Sequence, residues 1–68
     1  MAKDDEAEIL VFDTLHDFQV GAENERATAA STAEARARCE REGWAFCQVW
    51  KGGRLVASLR LGKWSKPG

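Results

Sequence analysis

The chain has 68 residues, a formal net charge of −1 and two cysteines, which bounds it to one small domain near the size where a single core only just suffices. Two thiols are too few for a disulfide framework or a four-ligand zinc site. No apolar run is long enough to span a bilayer, and MAKDDEAE is acidic where a signal peptide carries basic residues, so a cytoplasmic protein with reduced thiols is expected.

The small net charge hides an asymmetry. Residues 1–42 hold all 11 carboxylates and 5 Lys/Arg, for −6, whereas residues 43–68 hold 5 Lys/Arg and no acid, for +5. The C-terminal part is a basic pole, which either steers an anionic partner or neutralises the other half once folded.

Residues 1–7 are polar and charged with nothing to bury, and are expected as a disordered acidic tail ahead of a single domain over 8–64. Ile9-Leu10-Val11-Phe12 is an apolar run that suits a strand. Asp13–Asp17 interrupts it, and Phe18, Val20 and Ala22 resume a period of two, which predicts more strand. Glu23–Arg26 has turn character, and residues 26–30 return as a short strand or stay irregular, alanine being a poor strand former. Ser31-Thr32-Ala33-Glu34 matches a capping box, so a helix begins at Thr32, and Gly43 stands where its C-terminal cap belongs. Thr32, Ala35, Cys39 and the stem of Glu42 form its small inner face, with Arg36, Arg38, Glu40 and Arg41 toward solvent.

Trp44–Leu61 reads as a hairpin turning at Gly52-Gly53, because a two-residue loop needs positive φ at both central positions. Pairing outward from Lys51/Arg54 gives Trp50/Leu55, Val49/Val56, Gln48/Ala57, Cys47/Ser58 and Phe46/Leu59. Trp44, Phe46, Gln48, Trp50, Leu55, Ala57, Leu59 and Leu61 then share the face expected to meet the helix. A three-residue loop would oppose Phe46 to Ser58 and scatter that apolar set. Ala45, Cys47, Val49 and Val56 form an apolar strip on the other face. Should the helix cover that strip instead, the tryptophan face becomes the exposed one. Residues 65–68 are expected as a C-terminal tail.

The fold class is α+β, an antiparallel sheet of four strands, or five with residues 26–30, and one helix packed on one face, in the order β-β-(β)-α-β-β. Chemistry finds little support. His16 is the sole histidine, no motif brings it to Cys39 or Cys47, and no ligand spacing suggests a metal. Gly52-Gly53 joins strand to strand and does not open a helix as a phosphate loop does. No enzyme, cofactor or metal is therefore expected. The two cysteines fall on opposite sides of the expected helix–sheet layer, which disfavours a bridge between them.

Binding candidates remain. Lys51, Arg54, Arg60, Lys63 and Trp64 form a basic rim that suits a protein interface or single-stranded nucleic acid. Asp13, Asp17, Glu23 and Glu25 lie around the loops of the first half, where they could meet a basic surface on another protein.

The order of strand, short return ending in Thr28-Ala29-Ala30-Ser31, alanine-rich helix, Gly43 and basic aromatic hairpin, over Phe18 to Trp64, resembles small phage-encoded inhibitors of the anti-CRISPR type. That resemblance implies a non-enzymatic inhibitor, acting in the host cytoplasm on a protein partner such as a Cas subunit. The alternative is a small nucleic-acid-binding module on the basic hairpin and C-terminal residues. Monomer and homodimer both fit, and no membrane partner is expected.

Overall fold

A computed structural model of the protein describes residues 6–66. They form β1 (Ala7–Phe12), α1 (Leu15–Val20), β2 (Glu25–Ala29), α2 (Thr32–Glu42), β3 (Phe46–Lys51), β4 (Arg54–Arg60) and β5 (Lys63–Ser65). The strands make one antiparallel sheet in the order β2-β1-β3-β4-β5, so the fold is α+β with five strands. β2 and β3 flank β1, and α2 carries the chain from one to the other.

The main helix starts as its sequence dictates. Ser31 Oγ accepts from the Glu34 amide at 3.1 Å, and the Glu34 carboxylate reaches back to accept from the Ala30 amide at 3.2 Å. Gly43 caps the other end in the left-handed region. Residues 25–29 do return as a strand, in register with β1 from Ala7↔Ala29 to Val11↔Glu25.

Several expectations are corrected. Residues 18–22 are not a strand, because Thr14 Oγ1 accepts from the Asp17 amide and Gly21 takes the left-handed cap, which together close the short helix α1. Its Phe18 then packs on Phe12 and Phe46, with ring centroids 5.4 and 5.7 Å apart. The C-terminal residues are not all tail, since Lys63–Ser65 pairs with β4 as the fifth strand. At the other terminus Ala7 is fully buried in β1, so order begins before the expected boundary. Residues 1–5 and 67–68 of the expected tails lie outside the described residues.

A further correction concerns the hairpin. Gly52 and Gly53 have φ of 59° and 77° and hold the expected two-residue turn, with Lys51↔Arg54 and Trp50↔Leu55 paired as read. A bulge between Val49 and Trp50 then shifts the ladder by one, so Val49 faces Ala57, Cys47 faces Leu59 and Phe46 faces Arg60. Ala57 and Leu59 thereby join the face of Cys47 and Val49. Ala35 and Cys39 of α2 belong to one buried cluster with Ala7, Ile9, Val11, Cys47, Val49, Ala57 and Leu59. The helix thus meets the strip of small β3 residues, and the face expected to receive it, with Phe46 and Trp50, is on the other side. The physical reason is continuity. The paired odd-numbered positions Ile9, Val11, Cys47 and Val49 are apolar across both strands, whereas the opposite face carries Glu8 and Gln48.

Both cysteines are free and fully buried in this cluster. They lie on the same side of the sheet, so they are not separated by opposite faces as expected. The interaction with the neighbouring Cys39 thiol, together with burial, raises Cys47 far above the usual thiol range.

The β4–β5 connection breaks a local rule. Leu61 and Gly62 have φ of 51° and 81°, and Leu61 is 68% exposed. A leucine in the left-handed region costs about 1–2 kcal/mol, and here little burial offsets that cost. Leu61→Asn should therefore stabilise the fold by on the order of 1 kcal/mol, raising the thermal midpoint by about 4–8 °C. Ser31→Ala should destabilise by about 1 kcal/mol through loss of the cap. Thermal unfolding of the two variants measures both.

Candidate binding surface on the open face of the sheet

Side chains alternate across a pleated sheet, so the register assigns the face away from α2 row by row. Thr28, Glu8, Trp50 and Leu55 form one row; Arg26, Leu10, Gln48, Ser58 and Ser65 the next; Phe12, Phe46, Arg60 and Lys63 the third. Helix α1 lies over Phe12 and Phe46 through Phe18. Among the described residues no other helix lies on this face, and Leu10, Gln48, Trp50, Leu55 and Ser58 are all partly exposed.

Trp50 sits on the central strand β3, and its indole N–H donates to Gln48 Oε1 at 3.0 Å. Gln48 is two residues along the same face, so this bond ties the ring along the strand and limits its swing.

The charges on the face are of two kinds. Arg26 is engaged by Glu8 at 3.6 Å and by Glu23, whose Oε2 accepts from both Nε and Nη2, and its guanidinium is held further into the charged form chiefly by the hydrogen bond to Glu23. Arg60 and Lys63 differ. They face one another directly across β4 and β5, and neither forms an ion pair among the described residues. Like charges opposed in this way destabilise a ladder, and a bound anion would relieve the repulsion.

The basic residues singled out from sequence do not form one rim. Lys51 and Arg54 flank the Gly52-Gly53 turn, whereas Arg60 and Lys63 lie at the other end of the hairpin, roughly 20 Å away along β4. Trp64 lies on the helix side, packed against the core cluster. Its indole N–H donates to Glu40 Oε2 at 2.9 Å, and the Arg36 guanidinium stands 4.9 Å from its ring centroid. Arg38 stands similarly over Trp44 at 5.8 Å. Arg36 and Glu40 stay exposed, as expected, and with the half-buried Arg38 they bracket these tryptophans along the helix.

The acidic residues come closer together. Asp13 ends the loop from β1, Asp17 lies in α1, and Glu23 and Glu25 lead into β2, all at one end of the sheet. The Asp13 amide donates to Asn24 Oδ1 at 2.8 Å and the Asn24 amide to the Val11 carbonyl, which fixes that loop, while Glu23 is taken up by Arg26.

Trp50 and Gln48 take the open face, the alternative read from the sequence, because α2 covers the strip of Cys47 and Val49; the bulge, which no glycine marks, brings Ser58 of β4 to that same face. Among the described residues no group of three or more His, Cys, Asp or Glu side chains is placed to hold a metal ion, and no helix is long and apolar enough to cross a membrane.

Burial of both thiols predicts that neither reacts with iodoacetamide at about pH 8 in the native protein, and that both react once it is unfolded. Adducts counted by mass spectrometry decide this, and a native adduct on Cys47 would contradict the packing.

Comparison with protein-family models, curated proteins and solved structures finds no match for this chain.

Proposed function

We propose that this chain is a non-enzymatic binding module whose open sheet face docks an anionic partner. The observation that carries the reading is the opposed pair Arg60 and Lys63, two cations face to face without a carboxylate partner among the described residues. A fold stabilised for its own sake gains from an acid at either position. The neighbouring Arg26 and Glu8 neutralise one another, so the pair sets the sign of the face. Polar Gln48, Ser58 and Ser65 lie beside it as hydrogen-bonding groups. The non-enzymatic part rests on placement: His16 is exposed on α1, whose Phe18 packs on the open face, while both thiols are buried on the far side of the sheet.

A protein-binding inhibitor, acting on a Cas subunit as the phage resemblance implies, is the second reading. It is favoured by the gathering of Asp13, Asp17, Glu23 and Glu25 at one end, which suits a basic protein surface. Asp17→Lys with Glu25→Lys should then abolish capture of a nuclease or surveillance subunit from host lysate, and unchanged capture would remove this reading.

For the leading reading, Arg60→Ala with Lys63→Ala should elute from immobilised heparin at clearly lower salt than the native chain, whereas Lys51→Ala with Arg54→Ala should elute close to it. Equal elution of the first variant and the native chain would overturn the assignment.

A further inference from the structure

Resting on the reading of the open face as an anion-docking surface, we propose that its occupant is single-stranded nucleic acid, with a base stacked on Trp50 and phosphates held by Arg60 and Lys63.

Two independent features select this class of anion. The first is the aromatic. Trp50 is partly exposed on the central strand of an uncovered face, and its N–H is already satisfied by Gln48. Its polar atom is paired internally, so the part of the indole that stays exposed offers an apolar aromatic surface. Unpaired bases stack on such rings without regard to sequence, and duplexes, whose bases are already stacked, do not. The second is spacing. Trp50 and Arg60 are separated by two rows of side chains and one strand, about 14 Å between backbones. The bond to Gln48 ties the indole toward the intervening row, and Arg60 and Lys63, both exposed, stand on the same face beyond Ser58 and Ser65. A flexible strand can place a base on the ring and a backbone phosphate on the cations at once. The intervening row, Leu10, Gln48, Ser58 and Ser65, offers apolar contact and hydrogen bonds and adds no acid. Glu8, the one carboxylate beside Trp50 in the register, is paired with Arg26, so it does not repel a phosphate as a free acid would.

The other clefts carry less. The space beside Trp64 is lined by Arg36 and Lys66, and Arg36 is already engaged with the Trp64 ring. The exposed Leu61 has no neighbouring charge pattern that identifies what would cover it.

The test uses the full chain and three fluorescent probes of similar length: a thymidine oligonucleotide, a duplex, and inorganic polyphosphate as an anion without bases. Anisotropy at low salt should show the single strand bound more tightly than either. Trp50→Leu, which keeps bulk and removes the ring, should weaken single-strand binding at least about fivefold, the lower end of what one stacked base contributes. Trp50→Phe should restore most of it. Arg60→Ala with Lys63→Ala should reduce the salt slope by about 0.7 for each phosphate no longer neutralised. Circular dichroism of each variant checks the fold, and Trp50→Phe keeps the test decisive if Trp50→Leu does not fold. Equal binding of oligonucleotide and polyphosphate, with both Trp50 variants unchanged, would overturn this inference and leave the anion-docking reading standing. Retention on heparin with no oligonucleotide binding would also overturn it, pointing to an acidic protein surface as the occupant. Absence of binding to heparin and to all three probes at low salt would overturn both.

Discussion

Everything in this fold depends on one thin apolar layer between the small face of α2 and the odd-numbered side of the central strands. Ala35 and Cys39 press on Ile9, Val11, Cys47, Val49, Ala57 and Leu59, and these residues are short enough for a helix to approach the sheet closely. Burying side chains such as Ile9 and Val49 contributes roughly 1.5–3 kcal/mol each before the entropy of ordering them. Trp44 and Trp64 close the margins of the layer, each beneath an arginine of the helix. Large aromatics thus seal the edges of the layer and small residues form its centre.

That division determines what is left for binding. Once α2 has taken the odd-numbered side, the even-numbered side has only the one-and-a-half turns of α1 to cover it, and Phe18 is spent on Phe12 and Phe46. The polar character of Glu8, Gln48 and Ser58 makes an uncovered face tolerable in water, as antiparallel sheets commonly show. The half-exposed Trp50 and the opposed cations Arg60 and Lys63 are then the residues that packing does not explain, and rule-breaking of this kind concentrates at functional sites.

Much of the architecture was legible from residues with strong local chemistry. Ser31, Glu34 and Gly43 fixed the main helix, and Gly52-Gly53 fixed the turn, because caps and two-residue loops are decided by a few atoms. The same logic applied to Thr14, Asp17 and Gly21 signals α1, but the alternation of Phe18, Val20 and Ala22 obscured it; a short segment can satisfy both periods. The side chosen by α2 was not legible in the hairpin alone. It is a property of three strands together, and a single extra residue at Val56 reverses the facing of everything beyond it in β4. The candidate site depends on the same choice. Arg60 and Lys63 are legible from charge, whereas the face of Trp50 waits on the side that α2 takes, and Trp64 packs on the helix side and not with the basic residues.

The sheet order has a consequence for how the chain is made. β1, the earliest strand, is central, bonded to β2 on one side and β3 on the other. While the chain is being synthesised, its second edge stays open until residues 46–51 have left the ribosome, and α2 has no layer to close on before then. Contacts of such long sequence separation slow folding and leave an exposed strand edge in the interval. The charged Glu25 and Arg26 of β2 lie on an outer strand of the sheet, where charge makes pairing with another chain unfavourable.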